Sequence, residues 1–315
     1  IASRMDPPIT DSGPDNEGQV KPTVAVEDDG TLLWEPPTHG KPIDLSMIPF
    51  ESLAVVALRP KDLLSQGEGS RLLRALGPQF ARWRRGWEDR VGFTFDQIDQ
   101  LLISLHPRGD EMPEPAYVIT LAEEIDRSEL LAKFGDLEEQ VSDGDSFFSG
   151  SEFAVYLPEG NMIGRFAVGS ASRMKDVAEL EGDAPPPRTG MEPLIRASDR
   201  DRHFTILFVP YFVSTNLLRD GREFYFGDAQ KAREPLDWLL GSSIKAALFS
   251  VHLSNNTYLE LQINSDVTKN PYKVADDLRH RVNDLPLMIE TYIAQNLNPP
   301  VYWRQIAFRY PDMIT

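Results

Sequence analysis

Apolar positions along this chain keep two different rhythms, and the switch between them marks out the elements. In IDLSMIPFESLAVVALRP, the run Leu53 to Leu58 is compact, apolar and stopped by Arg59-Pro60, which predicts a buried strand. KDLLSQGEGSRLLRALGPQFARWRRGWEDR then changes to helical spacing. Leu72, Leu73, Leu76 and Phe80 share a face that Gly77-Pro78 interrupts. Phe95-Asp96 leads into Ile98 to Leu105, whose later part is strand-like again, and Pro107 to Pro115 reads as a polar turn. AYVITLAEEI alternates as an amphipathic strand does, and DRSELLAKFG has the Asp/Ser start and Gly stop of a short capped helix. FFSGSEFAVYLPEGNMIGRFAVGS predicts a meander of short strands turning at Pro158-Glu159-Gly160-Asn161, and SASRMKDVAEL predicts a helix.

The second half restarts this order. HFTILFVPYF predicts a strand, AREPLDWLLGSS a helix, IKAALFSVHL a strand and TYLELQINSD an alternating strand. NPYKVADDLRHRVNDLPLMIETYIAQNL predicts a helix bent at Pro286. Three landmarks match in sequence order. Leu63-Leu64-x-x-Gly67 corresponds to Leu217-Leu218-x-x-Gly221, Ile98–His106 to Ile244–His252, and Tyr117 to Tyr258. The offsets of 154, 146 and 141 residues shrink steadily, as shortened loops in a second copy would produce. The expected fold is α+β: two related repeats, each an antiparallel sheet with helices covering one face. The expected organisation is an acidic Pro-rich tether over 1–42, a first repeat over 43–183, a linker over 184–198 and a second repeat over 199–315.

Composition narrows the function classes. A formal net charge of −17 over 315 residues argues against nucleic-acid backbones and anionic membrane surfaces as partners. The chain has no cysteine, which removes disulfides, thiolate metal sites and cysteine nucleophiles; it suits a cytoplasmic or a periplasmic protein equally. No apolar run approaches the roughly 18 to 20 residues that span a bilayer. The chain begins at Ile1, so a trimmed or processed form is expected, with any signal peptide or membrane anchor upstream.

The residues that could carry chemistry are sparse. The duplication makes His106 and His252 equivalent, yet neither has a second ligand at metal spacing, and both fit a packed histidine at a strand exit. Ser198, Asp201 and His203 in SDRDRHF suggest a relay on paper, but no G-x-S-x-G elbow accompanies them. VEDDGT and SDGDS lack the ligand steps of an EF-hand loop, and the Gly-containing loops form neither a P-loop nor a dinucleotide fingerprint. Asn255-Asn256-Thr257 is a formal glycosylation sequon. No catalytic, cofactor or metal residues are therefore nominated. RWRRGWEDR is different: Arg82, Trp83, Arg84, Arg85 and Trp87 have the composition of a protein-contact surface. The competing account puts the tryptophans in the core with the arginines snorkelling.

IDLSMIPFESLAVVALRPKDLL, FTFDQIDQLLISL and AYVITLAEEIDRSELLAKF together resemble a family of planctomycete extracytoplasmic proteins of unknown function. YLPEGNMIGRFAVGSASRMKDV is similar to that family's next element, a hairpin followed by a helix. The resemblance covers about Ile43 to Asp183 and, more faintly, the second half. It implies an envelope location, membrane attachment only through an upstream anchor, and an N-terminal tether; it brings no catalytic residues. The resulting expectation is a non-enzymatic extracytoplasmic module that binds or scaffolds another protein. The alternative is a small-molecule or lipid carrier with a cavity between sheet and helices.

Overall fold

The computed structural model describes residues 36–108, 111–142, 145–188, 190–210, 238–241, 243–254, 257–265, 268 and 270–295. The tether up to residue 35, Leu217-Leu218-x-x-Gly221, most of AREPLDWLLGSS and the sequon residues Asn255 and Asn256 lie outside the described residues.

The strands are β1 (Ala54–Leu58), β2 (Ile98–Arg108), β3 (Glu111–Asp126), β4 (Glu138–Val141), β5 (Ser146–Ser149), β6 (Ala154–Tyr156), β7 (Met162–Gly169), β8 (Phe204–Phe208), β9 (Ile244–Leu253) and β10 (Thr257–Ser265). All join one antiparallel sheet in the order β10-β9-β8-β1-β2-β3-β7-β6-β5-β4. The expected pair of sheets is therefore one. β1 and β8 pair directly, with Val56 opposite Ile206, so the two halves meet edge to edge at the middle. Two sheets would each have left a buried apolar strand with an unpaired row of backbone donors and acceptors.

The first half alternates cleanly between two cores. Val55, Leu102, Val118 and Ala167 face one way, against Ile48 and the helical Met174 and Val177. Leu101, Ile119, Phe166 and Val168 face the other, against Trp87, Val91, Leu130 and Phe134. Helices thus cover both faces, where one was expected. The runs AVVAL and LLISL have no polar face, and both of their sides need burial.

The helices are α1 (Pro60–Ser65), α2 (Gly67–Ala75), α3 (Gly77–Val91), α4 (Arg127–Lys133), α5 (Ala171–Glu179), α6 (Glu192–Ala197) and α7 (Pro271–Gln295). Gly77 separates α2 from α3 because its φ of 81° is a left-handed conformation that side chains rarely adopt. Asp126 caps α4 by accepting from the Ser128 N–H, as its sequence predicts. Three expectations change. α7 runs uninterrupted through Pro286. β2 and β3 continue into the predicted Pro107–Pro115 turn, with a register shift between His106 and Arg108. The 184–198 linker contains α6, whose Leu194, with Met191 before it, packs on Leu207, Ala246 and Leu248.

The end of the tether is anchored as well. The Thr38 hydroxyl donates to Asp199 at 2.6 Å, the Gly40 N–H donates to the same carboxylate at 3.0 Å, and the Ile43 N–H donates to the Ser198 hydroxyl at 2.9 Å. Residues 38–43 are therefore a strap on the second half. A Cβ at Gly40 would stand 2.3 Å from Asp199 Oδ1 and 2.6 Å from Asp201 Oδ2, so any side chain there would have to displace these carboxylates.

Candidate functional site

The RWRRGWEDR segment forms most of α3, and the helix separates its residues by face. Trp87, 3% exposed, packs edge-on to Phe95 at 5.7 Å and tilts against Tyr117 at 5.9 Å. It belongs to the core, so its nomination as a contact residue is corrected: seven residues after Phe80, it lies on the stripe that meets the sheet. Trp83 is 40% exposed and lies over the outer side of Trp87 at 6.4 Å and beside Phe80 at 5.5 Å. Arg82 and Arg85 point to solvent, and Arg85 donates to its own helix at the Ala81 carbonyl. Arg84 is half-buried, 3.6 Å from Glu88 and 5.6 Å above the Phe95 ring.

Beside Trp83 lies an open groove of about 450 Å³, with Leu64, Leu73, Pro78 and Phe80 as its apolar lining. Arg74 and Arg84 stand among those walls. Residues 67–92 carry six arginines against Glu68, Glu88 and Asp89, a local positive excess in a chain of net charge −17. Arg71 is paired with Glu68 and Arg84 with Glu88, while Arg74 and Arg82 make no ion pair among the described residues. A second hollow of about 550 Å³ lies at the far sheet edge and is lined by polar loop and edge residues including Asp136, Glu138 and Ser151. Neither hollow is lined jointly by the central strands and their covering helices, the place where the carrier alternative puts its cavity.

The histidines occupy the face of the sheet opposite α3. His106 is fully buried on β2, with Nδ1 2.8 Å from the Phe50 carbonyl and Nε2 2.8 Å from Ser104 Oγ. A carbonyl only accepts, so Nδ1 carries the proton and Nε2 accepts from the Ser104 hydroxyl. This is the geometry of a hydroxyl and its base, but both side chains are sealed from solvent. Burial lowers the His106 pKa to about 4, against the opposing pull of the Phe50 carbonyl, and Arg173 adds to the depression.

His252 stacks on His203 with ring centroids 4.2 Å apart. His203 Nδ1 accepts the Leu253 N–H at 2.9 Å, so its proton sits on Nε2, 3.4 Å from Asp62 Oδ2. Protonating His203 would require Nδ1 to give up that buried backbone donor. Burial lowers the pKa of both rings. The neighbouring ring adds to this at His203 and Arg202 adds at His252, while Asp62 opposes at each. Arg202 is itself buried, 3.7 Å from Asp199, 3.6 Å from Glu260 and 4.4 Å above the Tyr258 ring. Burial alone would raise the Asp199 pKa, but hydrogen bonds from Thr38, Asp201 and Gly40, with Arg202, hold it below the usual range.

The structure does not assemble the Ser198/Asp201/His203 relay. Ser198 donates to the Ile195 carbonyl, and His203 faces Asp62. Sequence reasoning set His106 and His252 side by side but missed Ser104 and the His203–His252 stack. The shared Ser-x-His of SLH and SVH could have pointed to Ser104. Nothing local announces the stack. Among the described residues no three His, Asp or Glu side chains are placed to hold a metal ion, and no helix is long and apolar enough to cross a membrane. Comparison of the chain with family models, with curated proteins and with solved structures found no match.

Proposed function

We propose that this chain is a non-enzymatic, extracytoplasmic protein-binding or scaffolding module, and that its contact surface is the α2–α3 groove with Trp83, Arg82 and Arg85 beside it. The observation that carries this reading is the groove itself: an apolar floor between Arg74 and Arg84, flanked by an exposed tryptophan. Tryptophan and arginine dominate the energetics of protein interfaces because one buries a large rigid ring and the other bonds bidentately. His106 favours no catalytic reading, since both of its ring nitrogens are buried and bonded to the protein's own groups, and at His203 the basic Nδ1 is taken by the Leu253 N–H.

The same reading takes the sheet as a duplicated scaffold. Moving Ala54 to Phe204 and Leu105 to Val251 carries the β1–β2 pairing onto the β8–β9 pairing, and the second shift is the 146 residues that relate the two histidine segments. The Tyr117–Tyr258 match does not fit this frame. His106 pairs with Glu114 and His252 with Tyr258, so Tyr258 takes the place of Glu114. The location outside the cytoplasm rests on the family resemblance of residues 43–183.

The test is affinity purification of the tagged full chain from an extract of its source cells, beside a Trp83→Ala/Arg82→Glu variant. A protein eluting at matched stoichiometry with the wild type and lost with the variant is expected. A partner held equally by both, or no partner in repeated trials, overturns the reading.

A further inference from the structure

The groove's charge says what kind of partner fits it. We infer that the α2–α3 surface takes an acidic protein segment, one that presents a large apolar side chain to the groove and carboxylates to Arg74, Arg82 and Arg85; this rests on the contact reading above. Three features converge. The floor of Leu64, Leu73 and Phe80 offers apolar burial, which a purely polar ligand would not use. Arg74 in the groove's lining and Arg82 outside it on α3 are exposed without an ion pair among the described residues, so their guanidinium groups remain open to carboxylates. The positive excess over residues 67–92 stands out from a chain of net charge −17, so the protein's own field guides an acidic segment to this surface and repels it elsewhere.

The same net charge decides between classes of polyanion. Nucleic acid and anionic lipid present charge over lengths and areas much greater than one groove, and the rest of the chain repels them. A short acidic segment has its charges only where the arginines are. Phe80 lines the groove, and Trp83, 5.5 Å from it and outside that lining, extends the apolar surface on which a second aliphatic or aromatic side chain of the segment packs.

The experiment uses the full chain and a fluorescent peptide of about 15 residues that carries Leu and Phe at helical spacing with Glu at its charged positions. The control is the same peptide with Lys at every Glu. Saturable binding of the Glu peptide is expected, weakening as salt rises from about 0.05 to 0.5 M. Binding should fall about tenfold or more in Arg74→Glu/Arg82→Glu, and by a similar factor in Trp83→Ala. Tyr272→Ala, a change at an exposed residue of α7, should leave it unchanged. Equal binding of the Lys peptide, insensitivity to the arginine reversals, or stronger binding of oligothymidylate or phosphatidylglycerol vesicles overturns the inference. If a native partner depends on Trp83 yet the Glu peptide neither binds nor competes, the contact surface stands and the acidic chemistry falls.

Discussion

His106 and His252 sit at matching places on β2 and β9, yet their rings live in different surroundings. The first is bonded at both nitrogens, to the Phe50 carbonyl and the Ser104 hydroxyl. The second lies face to face with His203, and its Nδ1 is buried without a hydrogen-bond partner. Both belong to a Ser-x-His, but Ser250 Oγ lies 2.9 Å from Thr205 Oγ1 and forms a hydroxyl pair with it. Thr205 is the cross-strand partner of Ser250, whereas the partner of Ser104 on β1 is Val55, which has no hydroxyl, so Ser104 turns to the histidine instead. One cross-strand neighbour thus redirects a hydroxyl, and an identical local motif acquires a different hydrogen-bond network.

The strongest way to break the comparison is to separate the halves. Ile206→Pro removes a backbone donor from β8, which is paired on both sides, and should cost more than about 3 kcal/mol. Both halves should unfold together in one calorimetric transition, because β1 and β8 share the centre of one sheet. Two separable transitions in the unmodified chain would show that the halves fold independently.

Next comes His106→Leu, which leaves the Phe50 carbonyl buried without its donor, while the Ser104 hydroxyl keeps the Ala116 carbonyl at 3.3 Å, and should cost about 1–3 kcal/mol in denaturant unfolding. The pH dependence sharpens this. The folded pKa of about 4 lies below the ordinary 6.5, so between these values the unfolded chain binds more protons than the folded one. Stability is therefore full above about pH 6.5 and falls as pH drops toward about 4, by roughly 3 kcal/mol for this group. His203 and His252 act in the same direction. In His106→Leu the acid-side slope should flatten; an unchanged slope would assign it to the other two rings.

The smallest effect is expected at His252→Phe. It keeps a ring against His203 and removes both the unpartnered Nδ1 and the ring's hydrogen bond to the Asp201 backbone, two changes of opposite sign, so stability should stay within about 1 kcal/mol of the parent. His203→Phe, by contrast, strands the Leu253 N–H and should cost more. Equal losses from the two changes would mean that the Leu253 N–H bond to His203 contributes no more than the polar contacts of the His252 ring.

Local pattern made several elements legible: the alternation of AYVITLAEEI, the Asp126 cap, the interruption at Gly77-Pro78 and the helix at Ala171–Glu179. Each depends on contacts within a few residues, where side-chain period and backbone preference act directly. The contact surface was legible in part, because the composition of RWRRGWEDR marks a face without saying which tryptophan turns inward. Trp87 is core and Trp83 is surface only because the sheet lies on one side of α3. MEPLIRA fell inside the expected 184–198 linker, yet Met191 and Leu194 pack on Leu207 of β8 and on Ala246 and Leu248 of β9.

The sequence by itself determined the strands, most of the helices and the faces they needed to bury, since those follow from the spacing of apolar side chains. Only the tertiary structure decided that two sets of strands make one sheet, that His203 meets His252 across 49 positions of chain, and that Thr38 and Gly40 strap onto Asp199. The physical reason is that edge pairing, ring stacking and strapping join groups far apart in sequence. They are selected by what else must be buried or bonded at the same place, and no local period records that competition.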